Sequence, residues 1–191
     1  FDITINKGER ASVSKHYLSP VYNRKNLDVF SNSFVQKIIF DGKKAIGIEV
    51  KIKNEVKKIF ANKEVILSGG SINSPQLLML SGVGSAIHLK DKGITVVHEL
   101  EGVGKNLQDH LQARPVYKVN VPTINTKTRG IWNLISIATQ YAFRRSGPMT
   151  LAASLGTAFL KSRPELSNPD IQFHIQPLSA DDPTIELHNF D

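Results

Sequence analysis

Three runs of β-branched and aromatic residues follow one another closely: Phe34 to Phe40, Ala45 to Lys53 and Val56 to Phe60. Asp41-Gly42 separates the first two and Asn54 interrupts the next pair, which predicts an antiparallel meander of three strands. The pattern then changes. Glu64-Val65-Ile66-Leu67-Ser68 is a short apolar run ending in Gly69-Gly70, and a run apolar on both faces predicts a buried parallel strand. Leu77, Leu78 and Leu80 predict a helix from Ile72 to Ser81, with Ser71 and Ser74 as candidate N-caps and Gly82 as its stop. Pro75 fits a first helical turn, where no N–H is needed. A strand, a glycine turn and a helix start in succession offer free backbone N–H groups and the positive end of a helix dipole.

Around this centre the pattern is plainer. Gly8 through Leu18, stopped by Pro20, predicts a short helix, and Asn26 to Phe30 a brief strand. Ala86 to Lys92 predicts a helix and Ile94 to His98 a strand. Beyond Ala113, Val116 to Val121 predicts a strand, and the spacing of Ile131, Leu134, Ile135, Ala138, Tyr141 and Ala142 an amphipathic helix. Thr157 to Leu160 and Ile171 to Ile175 predict further strands. A domain boundary is expected near Gln112.

Composition narrows the function classes. The 191 residues carry 24 Lys and Arg against 17 Asp and Glu, a net charge of +7, which suits an anionic ligand. The basic residues are scattered, and Lys43-Lys44, Lys57-Lys58 and Arg144-Arg145 are doublets without the aromatic interleaving of a nucleic-acid stripe. No nucleic-acid partner is expected. The absence of cysteine excludes disulfides and thiolate metal sites. No apolar run reaches the ~18 residues of a membrane span.

The chemistry-bearing patterns are mostly negative. Gly82-Val83-Gly84 and Gly102-Val103-Gly104 supply two glycines of a dinucleotide fingerprint, but Ile87 and Leu107 stand where the third belongs. Neither pair follows a buried strand, so neither is expected to hold a pyrophosphate. The six histidines are dispersed, no zinc-type pair exists, and no metal site is expected. His16, His88 and His98 are expected at the surface.

One segment is specific. Gly70-Ser71-Ile72-Asn73-Ser74-Pro75-Gln76-Leu77-Leu78-Met79-Leu80-Ser81-Gly82-Val83-Gly84 resembles, position for position, the second signature of the glucose–methanol–choline (GMC) oxidoreductases. Upstream, Asn26-Leu27-Asp28-Val29 and the Phe34–Gly42 run are similar to that family's meander. Downstream, Gly102 to His110 is similar to its loop near the flavin. Ser146-Gly147-Pro148 and Pro169 to His174 are similar to parts of its substrate domain. The companions come in the family's order across nearly the whole chain.

The resemblance implies an α/β (α+β) protein: part of a Rossmann-like FAD-binding domain with a β-meander over residues 1–112, then part of a substrate-binding domain with an antiparallel sheet and helices over 113–191. It implies FAD as cofactor and oxidation of a primary alcohol, choline-like or other, to the aldehyde by hydride transfer to the flavin. An alcohol oxidase, a hydroxynitrile lyase and a non-catalytic flavin-domain remnant are the alternatives. The family's glycine fingerprint is expected before Phe1 and its catalytic histidine after Asp191, so this chain reads as a middle segment, inactive alone. The electron acceptor and membrane association stay open, and the compartment expected is cytoplasmic, with inner-membrane association as the alternative.

Residue by residue, the resemblance assigns Val35 to the strand whose backbone meets the adenine, and Ser68, Gly69 and Gly70 to the turn approaching the cofactor. Asn106, Asp109 and His110 fall on the loop beside the flavin. His110 is expected to fix that loop rather than act as base, and no residue here is assigned to catalysis. Phe173 and Gln176 are the candidate substrate contacts. Phe173, His174 and Gln176 are expected to alternate between the cavity and the core, and which face meets the cavity is open.

Overall fold

A computed structural model describes residues 5–151 and 154–179. They form two compact units, one of residues 28–112 and one combining the N-terminal segment up to Leu27 with the stretch from Ala113 onward.

The first unit is built on the meander: β3 (Ser33–Asp41), β4 (Lys44–Ile52) and β5 (Glu55–Phe60), antiparallel and in that order. The turns have a backbone cause. Gly42, at φ +57°, opens the first hairpin, and Lys53 and Asn54, both at positive φ, make the second with the twist that tight hairpins require. The register is interrupted twice. Val35 pairs with Val50 and Lys37 with Glu49, so Gln36 is an extra residue in β3; Ile39 pairs with Gly47 and Phe40 with Ala45, so Ile46 is an extra residue in β4. Ile46 turns its carbonyl to the Ala61 N–H, 2.9 Å away.

The bulge at Gln36 decides which side chains share a face. Val35 and Ile38 are three apart and would otherwise point oppositely. With the extra residue they stand opposite Val50 and Ile48, two apart on β4, and so share a face. Ile38 and Val50 on that face are 5% and 2% exposed. Gly47, in the central strand, is required by close approach: a Cβ there would sit 2.4 Å from the Ile59 carbonyl oxygen.

After β5, Glu64 to Ser68 is irregular chain and not the strand that the apolar run suggests. Val65 and Leu67 are half-buried, while Ile66 is 75% exposed. A strand exists only where a neighbour bonds its edge, and no segment among the described residues pairs with this one. The chain then enters α1 (Gly70–Leu80), two residues earlier than the leucine spacing indicates, which leaves Pro75 inside the helix rather than in its first turn.

The rest of the unit packs behind α1. Short β6 (Val83–Gly84) and β7 (His98–Glu99) pair in parallel around α2 (Ala86–Asp91), whose Leu89 is fully buried. Gly93, at φ +70°, ends α2: its N–H bonds the Lys90 carbonyl and the next N–H, of Ile94, bonds Leu89. The two Gly-Val-Gly sequences find their use here as packing. Met79 lies against both Gly84 and Gly104, where an added Cβ would stand 3.1 Å from its side chain. Gly82, at φ +90°, sits where a Cβ would meet the Thr95 carbonyl oxygen at 2.4 Å.

In the second unit, the expected helix from Gly8 gives way to a hairpin, β1 (Ile5–Asn6) and β2 (Glu9–Arg10), because Lys7 and Gly8 both take positive φ. Helical turns follow from Ser14 to Val21, the first part π-helical. Arg145 ties the hairpin to the end of α4 (Ile131–Arg144), with its guanidinium 3.3 Å from the Glu9 carboxylate and stacked over Tyr141. The strands expected at Asn26–Phe30 and Val116–Val121 are irregular chain without ladder partners. A short α3 (Ile124–Lys127) precedes α4, and β8 (Gly156–Leu160) pairs antiparallel with β9 (Ile171–Ile175).

Candidate functional site

Two backbone features of the first unit can receive a ligand. The first is the free edge of β3. Ile38 gives its N–H to the hydroxyl oxygen of Ser81, 2.7 Å away, rather than to β4. Ile38 and Ile48 are therefore a pair whose backbone groups turn away from each other, and this alternates with period two along β4. Val50 is two residues from Ile48, so its partner Val35 also turns its N–H and C=O outward. No strand lies on that side of β3 among the described residues. Val35 thus presents one donor and one acceptor in a row, with its side chain half-buried on the core face.

The second feature is the turn at Gly69 and Gly70. Gly70 has φ +81°, which favours glycine, and an added Cβ there would meet nothing within 4 Å. The space before this helix start is open, and α1 begins with no side-chain cap on its first N–H groups. Ser74 reaches back instead, accepting the Gly69 N–H at 3.0 Å. Free N–H groups and the helix dipole make such an opening attractive to anions. Ser68 is exposed beside it.

The loop residues Asn106, Asp109 and His110 are all exposed. Asn106 takes φ +61°, a conformation asparagine tolerates. Asp109 accepts the backbone N–H of His110 at 2.8 Å, and the His110 ring nitrogen is 3.9 Å from the same carboxylate oxygen. Apart from this local turn, no hydrogen bond joins these three to β3 or to the Gly69–Gly70 turn among the described residues. At the start of the loop, Lys105 and Ser85 bond the Glu101 carboxylate and hold its pKa below the usual range.

In the second unit the candidate substrate residues separate. Phe173 shares one face of β9 with Ile171 and Ile175, while His174 shares the other with Gln172. Thr157 bonds the Phe173 carbonyl at 2.8 Å. Gln176 lies one residue beyond the strand and is exposed. Two surface clefts of this unit, lined in part by Lys127 and Asn133, include neither Phe173 nor Gln176.

Sequence reasoning missed two participants, Ser81 and Gln36. Ser81 is visible in the Ser-Gly-Val-Gly sequence, but only its bond to Ile38 reveals its use. Gln36 carries no sequence signal for a bulge. His16, expected at the surface, is half-buried: its Nε2 is 3.0 Å from the Asn6 amide nitrogen, and its Nδ1 is buried without a hydrogen-bond partner.

Among the described residues no three His, Cys, Asp or Glu side chains gather as a metal site, and no helix is long and apolar enough to cross a membrane. Among the described residues the buried apolar side chains, Ile38, Val50, Val83 and Leu89, lie in the first unit.

The chain is similar to several known proteins. Human mitochondrial choline dehydrogenase is 40% identical over 176 residues, covering 92% of this chain and 30% of that protein. An alcohol dehydrogenase [acceptor] of Pseudomonas putida is 40% identical over 184 residues, covering 93% and 33% respectively. The chain thus spans about a third of the length of these relatives. Among solved structures, an FAD-dependent oxidoreductase from Chaetomium thermophilum superposes with a TM-score of 0.64 at 28% identity, covering 75% of this chain and 26% of that one. Residues 2–112, more than half of the chain, match the GMC oxidoreductase family, and the chain belongs to that family.

Proposed function

We propose that the protein binds FAD and oxidises an alcohol at its CH–OH carbon. One observation carries the reading: within a single unit, an outward donor–acceptor pair at Val35 and an uncapped glycine turn opening α1 both stand free to take a ligand. An adenine ring has a donor and an acceptor side by side on its edge and suits the first. A pyrophosphate or flavin carbonyl oxygen, which needs N–H donors, suits the second. The names of the relatives, choline dehydrogenase and alcohol dehydrogenase [acceptor], give the substrate class.

Bound there, FAD supplies the hydride acceptor. The substrate carbon gives up a hydride, its hydroxyl gives up a proton to a base, and the product is an aldehyde. The chain's own residues bind and orient. Val35 and Gly69–Gly70 hold the cofactor by backbone, while Asn106, Asp109 and His110 shape the loop beside the flavin. Residues up to 112 are assigned to the FAD-binding half and those from 113 to the substrate half, although the segment up to Leu27 clusters with the latter. On the substrate half, the apolar face of Phe173 forms a wall and Gln176 a polar contact. The substrate is a primary alcohol, choline-like or other.

Anaerobic addition of choline or a simple primary alcohol to the full-length protein tests the reading. The oxidised-flavin absorbance should bleach with formation of an equivalent of aldehyde. A full-length protein that purifies without FAD, and cannot be reconstituted with it, refutes the proposal.

A further inference from the structure

We infer that Ser81 is a positioning residue for the adenylate half of the cofactor, acting through Ile38; this rests on the reading of Val35 as an FAD contact. Ser81 is 8% exposed and its hydroxyl bonds on two sides. It donates to the Leu77 carbonyl at 2.6 Å and accepts from the Ile38 N–H at 2.7 Å. A hydroxyl has a single proton, so the two roles are fixed, the proton toward the helix and a lone pair toward the strand.

Ser81 stands at the end of the helix that begins at the Gly69–Gly70 turn. One side chain therefore locks the far end of α1 to the free edge of β3. That edge offers outward backbone groups at Val35 and Ile38, brought to the same side by the bulge at Gln36. Ser81 covers the Ile38 N–H and leaves the Val35 pair open. It thereby sets where the free edge begins and holds that edge in register with the glycine turn, the other segment assigned to the same ligand. Removing the hydroxyl leaves a buried N–H without an acceptor, which the edge can relieve only by shifting or by admitting water.

Binding to the full-length apoprotein separates this role from general stabilisation. The Kd for FAD, the inhibition constant of ADP against FAD, the apoprotein melting temperature and the spectrum of bound flavin are measured for wild type, Ser81→Ala and Ser81→Thr. Ser81→Ala should weaken FAD and ADP by the same factor, about tenfold, with the bound-flavin spectrum unchanged. Ser81→Thr, which keeps the hydroxyl, should restore both to about twofold of wild type. If Ser81→Ala does not fold, Ser81→Cys, whose sulfur is a weak acceptor, carries the same expectation of equal FAD and ADP loss. The inference is overturned if a folded variant lacking the hydroxyl binds FAD as wild type does, or loses FAD affinity while ADP affinity holds. A wild-type protein that binds FAD without competition from ADP would instead remove the Val35 reading, and this inference with it.

Discussion

Val35 stands opposite Val50 in a pair whose backbone groups turn away from each other, so the Val35 N–H points to the open side of β3 and not into the ladder. Proline at such a position removes the outward donor and leaves the bonds between β3 and β4 in place. In the full-length protein, Val35→Pro should therefore lose FAD retention, while Val35→Ala should keep it. Far-ultraviolet circular dichroism and FAD content after gel filtration check this together. Equal FAD loss from two folded variants would mean that the valine side chain, and not the backbone, meets the cofactor.

How far this was legible in the sequence depends on whether the cause was local. The meander, the helix expected from Ile72 to Ser81 and α4 rest on spacing and turn residues, and all three form, the first helix starting two residues earlier. Glu64 to Ser68 and Val116 to Val121 have strand-like composition, but a strand also needs a neighbour, which composition cannot supply. The Lys7-Gly8 turn was hidden because lysine rarely takes the positive φ it has here. Within the candidate site, Gly69 and Gly70 marked the turn that opens α1, where Gly70 takes φ +81°. The outward turn of Val35 did not show, because it depends on one extra residue at Gln36 that no pattern marks. The family resemblance located the strand; the register shows which way it faces.

His110 is a test of the loop's role. Its ring is almost fully exposed and its nearest charged partner is Asp109, 3.9 Å away. A general base is ordinarily held by a bonded partner. His110→Asn should lower turnover only modestly, about tenfold at most, with the acidic limb of the pH–rate profile retained. Loss of general base catalysis would reach ~10²–10⁴-fold. Steady-state alcohol oxidation with an artificial electron acceptor decides between these; loss of that limb in a variant still holding FAD would make His110 the base.

The β8–β9 hairpin carries a pH dependence. Asp170 accepts both the hydroxyl and the backbone N–H of Ser162, at 2.6 and 2.7 Å, and these bonds lower its pKa below the usual 3.8. The folded carboxyl is thus the stronger acid. Its stabilising effect is present above the unfolded pKa and is lost as pH falls through the lower folded value. Carboxyl titration by nuclear magnetic resonance should place Asp170 below 3.8, and Ser162→Ala should raise it. A midpoint unmoved by Ser162→Ala would mean that the clamp does not form in solution.

Amide hydrogen exchange of the full-length apoprotein, resolved to single residues with and without FAD, tests the central claim most directly: that the cofactor is held by backbone at the outer edge of β3 and at the turn opening α1. Exchange should slow on FAD addition at the Val35 N–H and at the Gly70 and Ser71 N–H groups. The Ile38 N–H, already bonded to Ser81, should be slow in both states. Saturation with FAD that leaves exchange at Val35, Gly70 and Ser71 unchanged would contradict the account.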